Sequence, residues 1–214
     1  MTTSGAASGL DGAEPVRQPC FVLASASPRR LDLLRQIGLA PDRVLPADLD
    51  ETPARAEQPR PYVRRMAAEK AAAVAASLTE PALVLGADTV VALGRRILPK
   101  AEDRETARAC LELLSGRRHT VLTALSVIPS SGWPEGRRAE RIVETAVTFS
   151  RMTPHQIETL LDQGDWQGKA GGYALQGHAA AFIRFISGSA SAVIGLPLFE
   201  TAQLLRGQPG HWLA

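Results

Sequence analysis

Apolar residues recur along this chain in two rhythms, and the points where one gives way to the other divide it into strands and helices. Phe21-Val22-Leu23, within residues 20–25, is a continuous apolar run of the kind that forms a short buried strand. Directly after it, Leu31, Leu34 and Ile37 fall at helical spacing. Ser27 is placed to cap that helix, Pro28 suits its first turn because a missing N–H there loses no partner, and Gly38 stops it. An Ala-rich segment from about residue 62 to 78 puts Val63, Met66, Val74 and Leu78 on one helical face. Residues 82–93 are β-branched at several positions and bounded by turn residues, which predicts a strand with Asp88 as its one charge.

The second half alternates in the same way. A helix is expected over residues 103–114, closed by Gly116. Residues 119–128 and 140–149 alternate and are β-branched, predicting an antiparallel pair joined by an exposed connection at 129–138. Thr153 and Gln156 stand at capping-box spacing ahead of Ile157, Leu160 and Leu161, and Gly164 ends that stripe. A glycine-rich loop at 168–177 leads to an expected strand at 180–186 and a closing helix at 196–205. Strands mixed with helices, together with a hairpin, predict an α/β protein with a mixed, twisted β-sheet flanked by helices. No internal repeat is present. One domain over residues 20–208 is expected, with a flexible N-terminal tail at 1–19, rich in Gly, Ala and Ser, and a short C-terminal tail at 209–214.

Composition narrows the picture. With 45% hydrophobic and 21% charged residues over 214 positions, the chain has the material for a real core. Its 24 Lys and Arg against 22 Asp and Glu leave a net charge of only +2, so no global field favours stable binding of a nucleic-acid backbone. Any anion site must be local. Cys20 and Cys110 lie outside CxxC spacing, which argues against a disulfide framework or a structural zinc site and fits a reducing cytoplasm. No apolar stretch approaches the ~20 residues that span a bilayer, and residues 1–19 lack the basic start and apolar centre of a secretory signal. A cytoplasmic protein without membrane association is the expectation.

Three segments carry candidate chemistry. Ser25-Ala26-Ser27-Pro28-Arg29-Arg30 is a strand-to-helix junction that gathers hydroxyls, helix N–H groups and two guanidinium groups, an anion trap unless it is merely a capped helix with solvated arginines. Asp88, in Gly86-Ala87-Asp88-Thr89-Val90-Val91, is a carboxylate amid apolar strand residues that needs a partner, a metal, or exposure at the strand end. In the loop from Gly168 to Gly177, glycines allow close approach, Lys169 offers a point charge, and Gln176 offers both donor and acceptor to a base edge. An ordinary turn is the plainer alternative. It is not a Walker loop: the spacing from Gly164 to Gly168-Lys169 is one residue short, and Ala170 stands where Ser or Thr would hold magnesium. Lys70 lies in the Ala-rich helix, and Lys100, in Leu98-Pro99-Lys100, is near enough to the Asp88 strand to share a cleft, although lone lysines are usually just solvated. His119, His155, His178 and His211 show no metal-ligand spacing. No nucleophile elbow or dinucleotide fingerprint is present, which leaves the equipment of metal-assisted phosphoryl or nucleotidyl chemistry.

The ordered set of these motifs, with Asp50-Glu51, Glu69-Lys70-Ala71, Leu114-Ser115-Gly116 and Val193-Ile194-Gly195-Leu196-Pro197-Leu198, resembles the Maf family of nucleotide pyrophosphatases over about residues 21–206. The resemblance implies a fold similar to the inosine triphosphatase group, with a cleft between two lobes. It implies hydrolysis of a nucleoside triphosphate between the α and β phosphates, with Asp88 as the proton acceptor that activates water. Arg29, Thr89 and Gln176 match positions that set base specificity, and Ser27, Arg30, Lys70, Lys100 and Lys169 match positions around the phosphates. Glu51 and Asp88 are expected to help hold a divalent metal cation, Mg2+ or Mn2+. Arg at 29 resembles the subgroup that prefers dTTP and UTP, since Arg hydrogen-bonds a pyrimidine carbonyl, whereas the Trp of the 7-methyl-GTP subgroup stacks on a cationic purine. One departure stands out: the family carries Gly-Lys-Pro where this chain reads Pro99-Lys100-Ala101, which alters backbone freedom around the lysine. A same-fold enzyme for another nucleotide and a nucleotide-binding cell-division regulator without turnover remain as alternatives. A homodimer is expected from the family.

Overall fold

The first apolar run forms β1 (Cys20–Ala24), and it feeds α1 (Pro28–Gln36), β2 (Arg43–Val44), α2 (Pro59–Ala76) and β3 (Ala82–Leu93) in a computed structural model that describes residues 18–210 and 212–213. Then come β4 (Arg96–Leu98), β5 (Lys100–Ala101), α3 (Arg104–Leu114), β6 (Arg118–Pro129), β7 (Ala139–Phe149) and α4 (Pro154–Gln163). The chain closes through β8 (Lys169–Ala170), a 3-10 helix at His178–Phe182, β9 (Ile183–Ser187), α5 (Ala190–Ile194) and α6 (Leu198–Arg206). The main sheet runs β2-β1-β3-β6-β7-β9, with β4 paired to β3. Its β2, β1 and β3 strands are parallel and every other pairing is antiparallel, the mixed α/β sheet that the alternation of elements predicts. Of the expected N-terminal tail, residues 1–17 lie outside the described residues.

Strand β3 organises the molecule because its two faces pack against different layers. Val84 packs with Ala71, Val74 and Leu78 of the α2 layer, while Leu83, Leu85 and Ala87 meet Leu33, Leu34, Leu196 and Leu205 of the α1 and α6 layer. Farther along, Val91 joins a separate core with Leu111, Phe149, Leu161 and Tyr173. The apolar interior therefore changes hands near the middle of β3, and the two lobes meet there. Along one edge, β1 pairs with β3 only as far as Ala24↔Gly86, and β4 takes over at Val91↔Leu98. Residues 87–90 are left with an open edge between the two neighbours.

Several expectations change in the structure. Ser27 occupies the N-cap position of α1 but its side chain makes no capping bond. Leu33 is buried with Leu34, while Leu31 and Ile37 pack at the margin, because the helix buries a wider face than a three-residue stripe covers. Residues 180–182 belong to the 3-10 helix, so the strand expected from 180 begins at Ile183. The last helix starts at Leu198, after Pro197, and is preceded by the short α5. The connection at 129–138 buries Trp133, whose ring meets Trp212; Trp212 also contacts Phe21 edge-on. Residues near the C-terminus thus add to the core where a tail was expected.

Gly86 sets how closely α2 approaches the sheet. A Cβ there would meet the Ala67 carbonyl oxygen at 2.5 Å and the Ala71 backbone nitrogen at 2.8 Å, both backbone atoms that cannot turn aside. Gly86→Ala is therefore expected to lower stability by roughly 1–3 kcal/mol through overpacking. Urea unfolding checks this; an unchanged midpoint would show that the helix has room to shift.

Candidate active site

Helix α2 owes its length to Pro59 at its first turn and an Ala-rich run, and its buried face includes one charged residue, Lys70. The close seat over Gly86 brings Lys70 Nζ to 2.6 Å from Asp88 Oδ1. Asp88 is 3% exposed and sits in the open-edged stretch of β3, with no partner for Oδ2 among the described residues. The same ammonium lies 2.7 Å from Glu51 Oε1, and Lys100 Nζ pairs with Glu51 Oε2. Tyr62 donates its hydroxyl to the Glu51 carbonyl at 2.7 Å, which fixes that loop against α2. Partial burial pushes the Glu51 carboxyl up, but the hydrogen bonds and charges of Lys100 and Lys70 outweigh it and hold it at about 2.

Across the open edge, α1 begins where β1 ends. The Arg30 guanidinium donates through Nε to the Gly195 carbonyl at 2.9 Å, through Nη1 to Ser25 Oγ at 3.0 Å, and through Nη2 to Thr89 Oγ1 at 3.4 Å. Ser25 also accepts the Ser27 backbone N–H, so this hydroxyl, rather than that of Ser27, ties the turn together. Arg29 makes no hydrogen bond or ion pair among the described residues, and burial moves its guanidinium below the ordinary range. Thr89 points to the Arg30 side of the sheet and shares a hydrogen bond of 3.0 Å with Thr123.

The glycine loop supplies the third wall. Strands β5 and β8 form a two-rung antiparallel ladder, Lys100↔Ala170 and Ala101↔Lys169, bracketed by Gly168 N–H to the Ala101 carbonyl and Gly171 N–H to the Pro99 carbonyl. Pro99 thus serves as an acceptor at the end of the ladder, and Lys100 reaches the site from it. Burial and the nearby Arg29 charge lower the Lys169 ammonium. Gly171 and Gly172 have φ of +68° and +70°, a left-handed turn that L side chains rarely adopt. The turn carries Tyr173, whose hydroxyl meets His119 Nε2 at 2.8 Å. Burial holds that imidazole at about 4, neutral at physiological pH, so it acts as a fixed prop for the loop. Gln176 stands exposed at the rim with no hydrogen bond among the described residues.

These walls enclose a cleft of about 450 Å³, within the range of small-molecule sites. Ser27, Arg29, Arg30, Glu51, Lys70, Asp88, Thr89, Lys100, Lys169 and Gln176 all line it. Every residue given a catalytic, phosphate, base-specificity or metal role from the sequence is therefore brought to one place. Thr123 and Tyr173 were not singled out, His119 was named only for lacking metal-ligand spacing, and Ser25 and Gly195 stood inside motifs without a role of their own; all five support the walls through hydrogen bonds. The sequence model of one family, described as Maf-like protein, matches residues 20–208. The chain belongs to the Maf family. The dTTP/UTP pyrophosphatase of Gluconobacter oxydans is 63% identical over the full length of both chains, and that of Rhodospirillum rubrum is 59% identical over 89% of this chain and 90% of its own. Among solved structures, a HAM1 protein from Coxiella burnetii overlaps with TM-score 0.39 at 21% identity, over 62% of this chain and 73% of that one.

In this Maf chain Lys70 and Lys100 engage both oxygens of Glu51, and Lys70 engages one oxygen of Asp88. Among the described residues no three His, Cys, Asp or Glu side chains converge as a metal set. Glu51 and Asp88 supply two carboxylates on either side of Lys70, and these are the groups that would hold a hard divalent ion, an oxygen-seeking cation that would also draw on phosphate oxygens.

Because the folded value for Glu51 lies below its ordinary 4.5, the unfolded chain takes up that proton first as pH falls. Its contribution to stability is fully present above 4.5 and is lost as pH drops toward about 2. Glu51→Gln should lower the urea midpoint at neutral pH, and the gap from the parent protein should narrow in acid. A gap that stays constant with pH would exclude Glu51 as the titrating group.

Proposed function

We propose that this Maf protein hydrolyses dTTP and UTP between the α and β phosphates, yielding the nucleoside monophosphate and pyrophosphate. The observation that carries the reading is that Asp88 opens onto the same cleft as Arg30, Lys70, Lys100 and Lys169. A single carboxylate with a free oxygen, faced by four cations, suits attack on a polyanion: one group handles a proton, and the others stabilise negative charge. The names borne by relatives at 63% and 59% identity support the same substrates.

In this mechanism Lys70 holds Asp88 through Oδ1 and leaves Oδ2 to accept a proton from water. The water oxygen bonds to the α-phosphorus as the bond from that phosphorus to the α–β bridging oxygen breaks, and pyrophosphate departs with the bonding pair. Arg30, Lys100 and Lys169 stabilise the charge that gathers on it. Glu51 and Asp88 are the residues that would hold a divalent cation, Mg2+ or Mn2+, which adds positive charge at the phosphates when bound. Arg29 and Gln176, both without hydrogen-bond partners among the described residues, are left to read the pyrimidine edge. Thr89 has its hydroxyl engaged by Arg30 and Thr123 and is not left to read the base.

Asp88→Asn is expected to reduce turnover of dTTP by roughly 10²–10⁴-fold with the fold retained, measured as released pyrophosphate in magnesium and without it. Wild-type kcat in that variant would remove Asp88 from the role of base. Arg29→Ala should flatten the preference for dTTP and UTP over purine triphosphates more than it weakens overall binding; an equal loss on every nucleotide would place Arg29 at the phosphates.

A further inference from the structure

Thr123 is fully buried on β6, directly opposite Thr89 in register, and does not line the cleft. Its Oγ1 lies 2.7 Å from the Ala192 carbonyl oxygen. A carbonyl only accepts, so the single hydroxyl proton of Thr123 is committed there. Between the two threonines, 3.0 Å apart, Thr89 must then be the donor. With its own proton turned away, Thr89 presents a lone pair to Arg30 Nη2. One chain of bonds thus runs in one direction, from Arg30 to Thr89 to Thr123 to the Ala192 carbonyl.

The far end of that chain belongs to the segment that also holds the other side of Arg30. Ala192 lies in α5, and three residues on the Gly195 carbonyl accepts Arg30 Nε at 2.9 Å. Gly195 has φ +136°, and a Cβ there would lie 3.6 Å from Arg30 Nε and 3.8 Å from Thr89 Oγ1. A second buried threonine, Thr145, anchors the start of the segment: its hydroxyl oxygen takes the Ser189 N–H at 3.1 Å. Arg30 is therefore held at three corners by Gly195, Ser25 and Thr89, which leaves two of its five N–H groups for the cleft. This gives the Val193-Ile194-Gly195 motif a physical purpose.

We propose that Thr123 is a positioning residue for Arg30, fixing the direction of the Thr89 hydroxyl so that the guanidinium is aimed at the polyphosphate. The inference rests on the reading of Arg30 as a phosphate ligand in the pyrophosphatase proposed above. It assigns Thr89 to the phosphates through Arg30, so that disturbing this chain affects all nucleotides alike.

The test compares Thr123→Val, which keeps shape and removes the hydroxyl, with Thr123→Ser, which restores it. Binding of inorganic tripolyphosphate by calorimetry reports on the cations without a base or turnover, and pyrophosphate release is followed on dTTP, UTP and a purine triphosphate. Thr123→Val is expected to weaken tripolyphosphate binding about tenfold, the scale of one charge-assisted hydrogen bond, and to lower kcat/KM on all three nucleotides by a similar factor. Thr123→Ser should return both to within about twofold. In an Arg30→Lys background, Thr123→Val should add almost nothing. Thr89→Val breaks the same chain from its other end and should match Thr123→Val, which keeps the test open if the latter does not fold. Unchanged tripolyphosphate affinity in the folded Val variants, no rescue by Ser, an undiminished loss beside Arg30→Lys, or a loss confined to one base would each overturn the proposal. No tripolyphosphate binding by the parent protein would overturn it as well. A parent protein that binds tripolyphosphate yet hydrolyses no nucleotide would sink the pyrophosphatase reading alone, and the affinity ratios would still decide the role of Thr123.

Discussion

The Lys70 ammonium, held between Asp88 and Glu51 in an almost closed interior, is the interaction on which the rest of the site depends. A carboxylate in the middle of an apolar strand is strongly disfavoured unless a charge of opposite sign meets it, and removal of Lys70 leaves Asp88 buried and unpaired. The pairing is possible only because α2 lies almost on the backbone of β3, over Gly86 and through Ala67 and Ala71. Small residues at three positions thus decide the placement of a lysine at a fourth. Glu51, drawn in by the same ammonium and by Tyr62, then brings Lys100 to the opposite side.

The cleft lies where it does because the sheet has an interruption. Between the end of β1 and the start of β4 pairing, residues 87–90 have a neighbour on one side only, and ligand-facing groups from both faces of β3 converge on the vacant edge. Asp88 comes from the α2 face and Thr89 from the α1 face. Successive residues of a strand point to opposite faces, so in an uninterrupted sheet these two side chains would belong to separate compartments. Here one carries the proposed proton acceptor and the next engages the arginine proposed to grip phosphate.

Much of this was legible in the residues. The lone charge in an apolar β-branched run marked Asp88, the Pro-Arg-Arg junction marked the opening of α1, and β3, the hairpin strands and the capped α4 follow directly from periodicity and cap residues. What escaped has a common physical cause. Thr123, His119 and Tyr173 act through hydrogen bonds to residues distant in the chain, and their types are common enough in cores to carry no signal. Two-residue strands such as β5 and β8 are too short to show a period, and they exist only because the loops on either side bring them together. Trp133 and Trp212 are buried by each other across a long separation, so their segments read as a surface connection and a tail.

The short β5–β8 ladder has a mechanical consequence. Lys100 and Lys169 occupy neighbouring rungs and are stapled at both ends by backbone bonds, so the backbone that carries the two lysines is held as one unit. The spacing of their backbones is settled when the chain folds, before any ligand arrives. The like charge that Lys169 meets is Arg29 of the facing wall; that repulsion is borne by the folded protein in advance, and an incoming polyanion relieves it without first having to gather the charges.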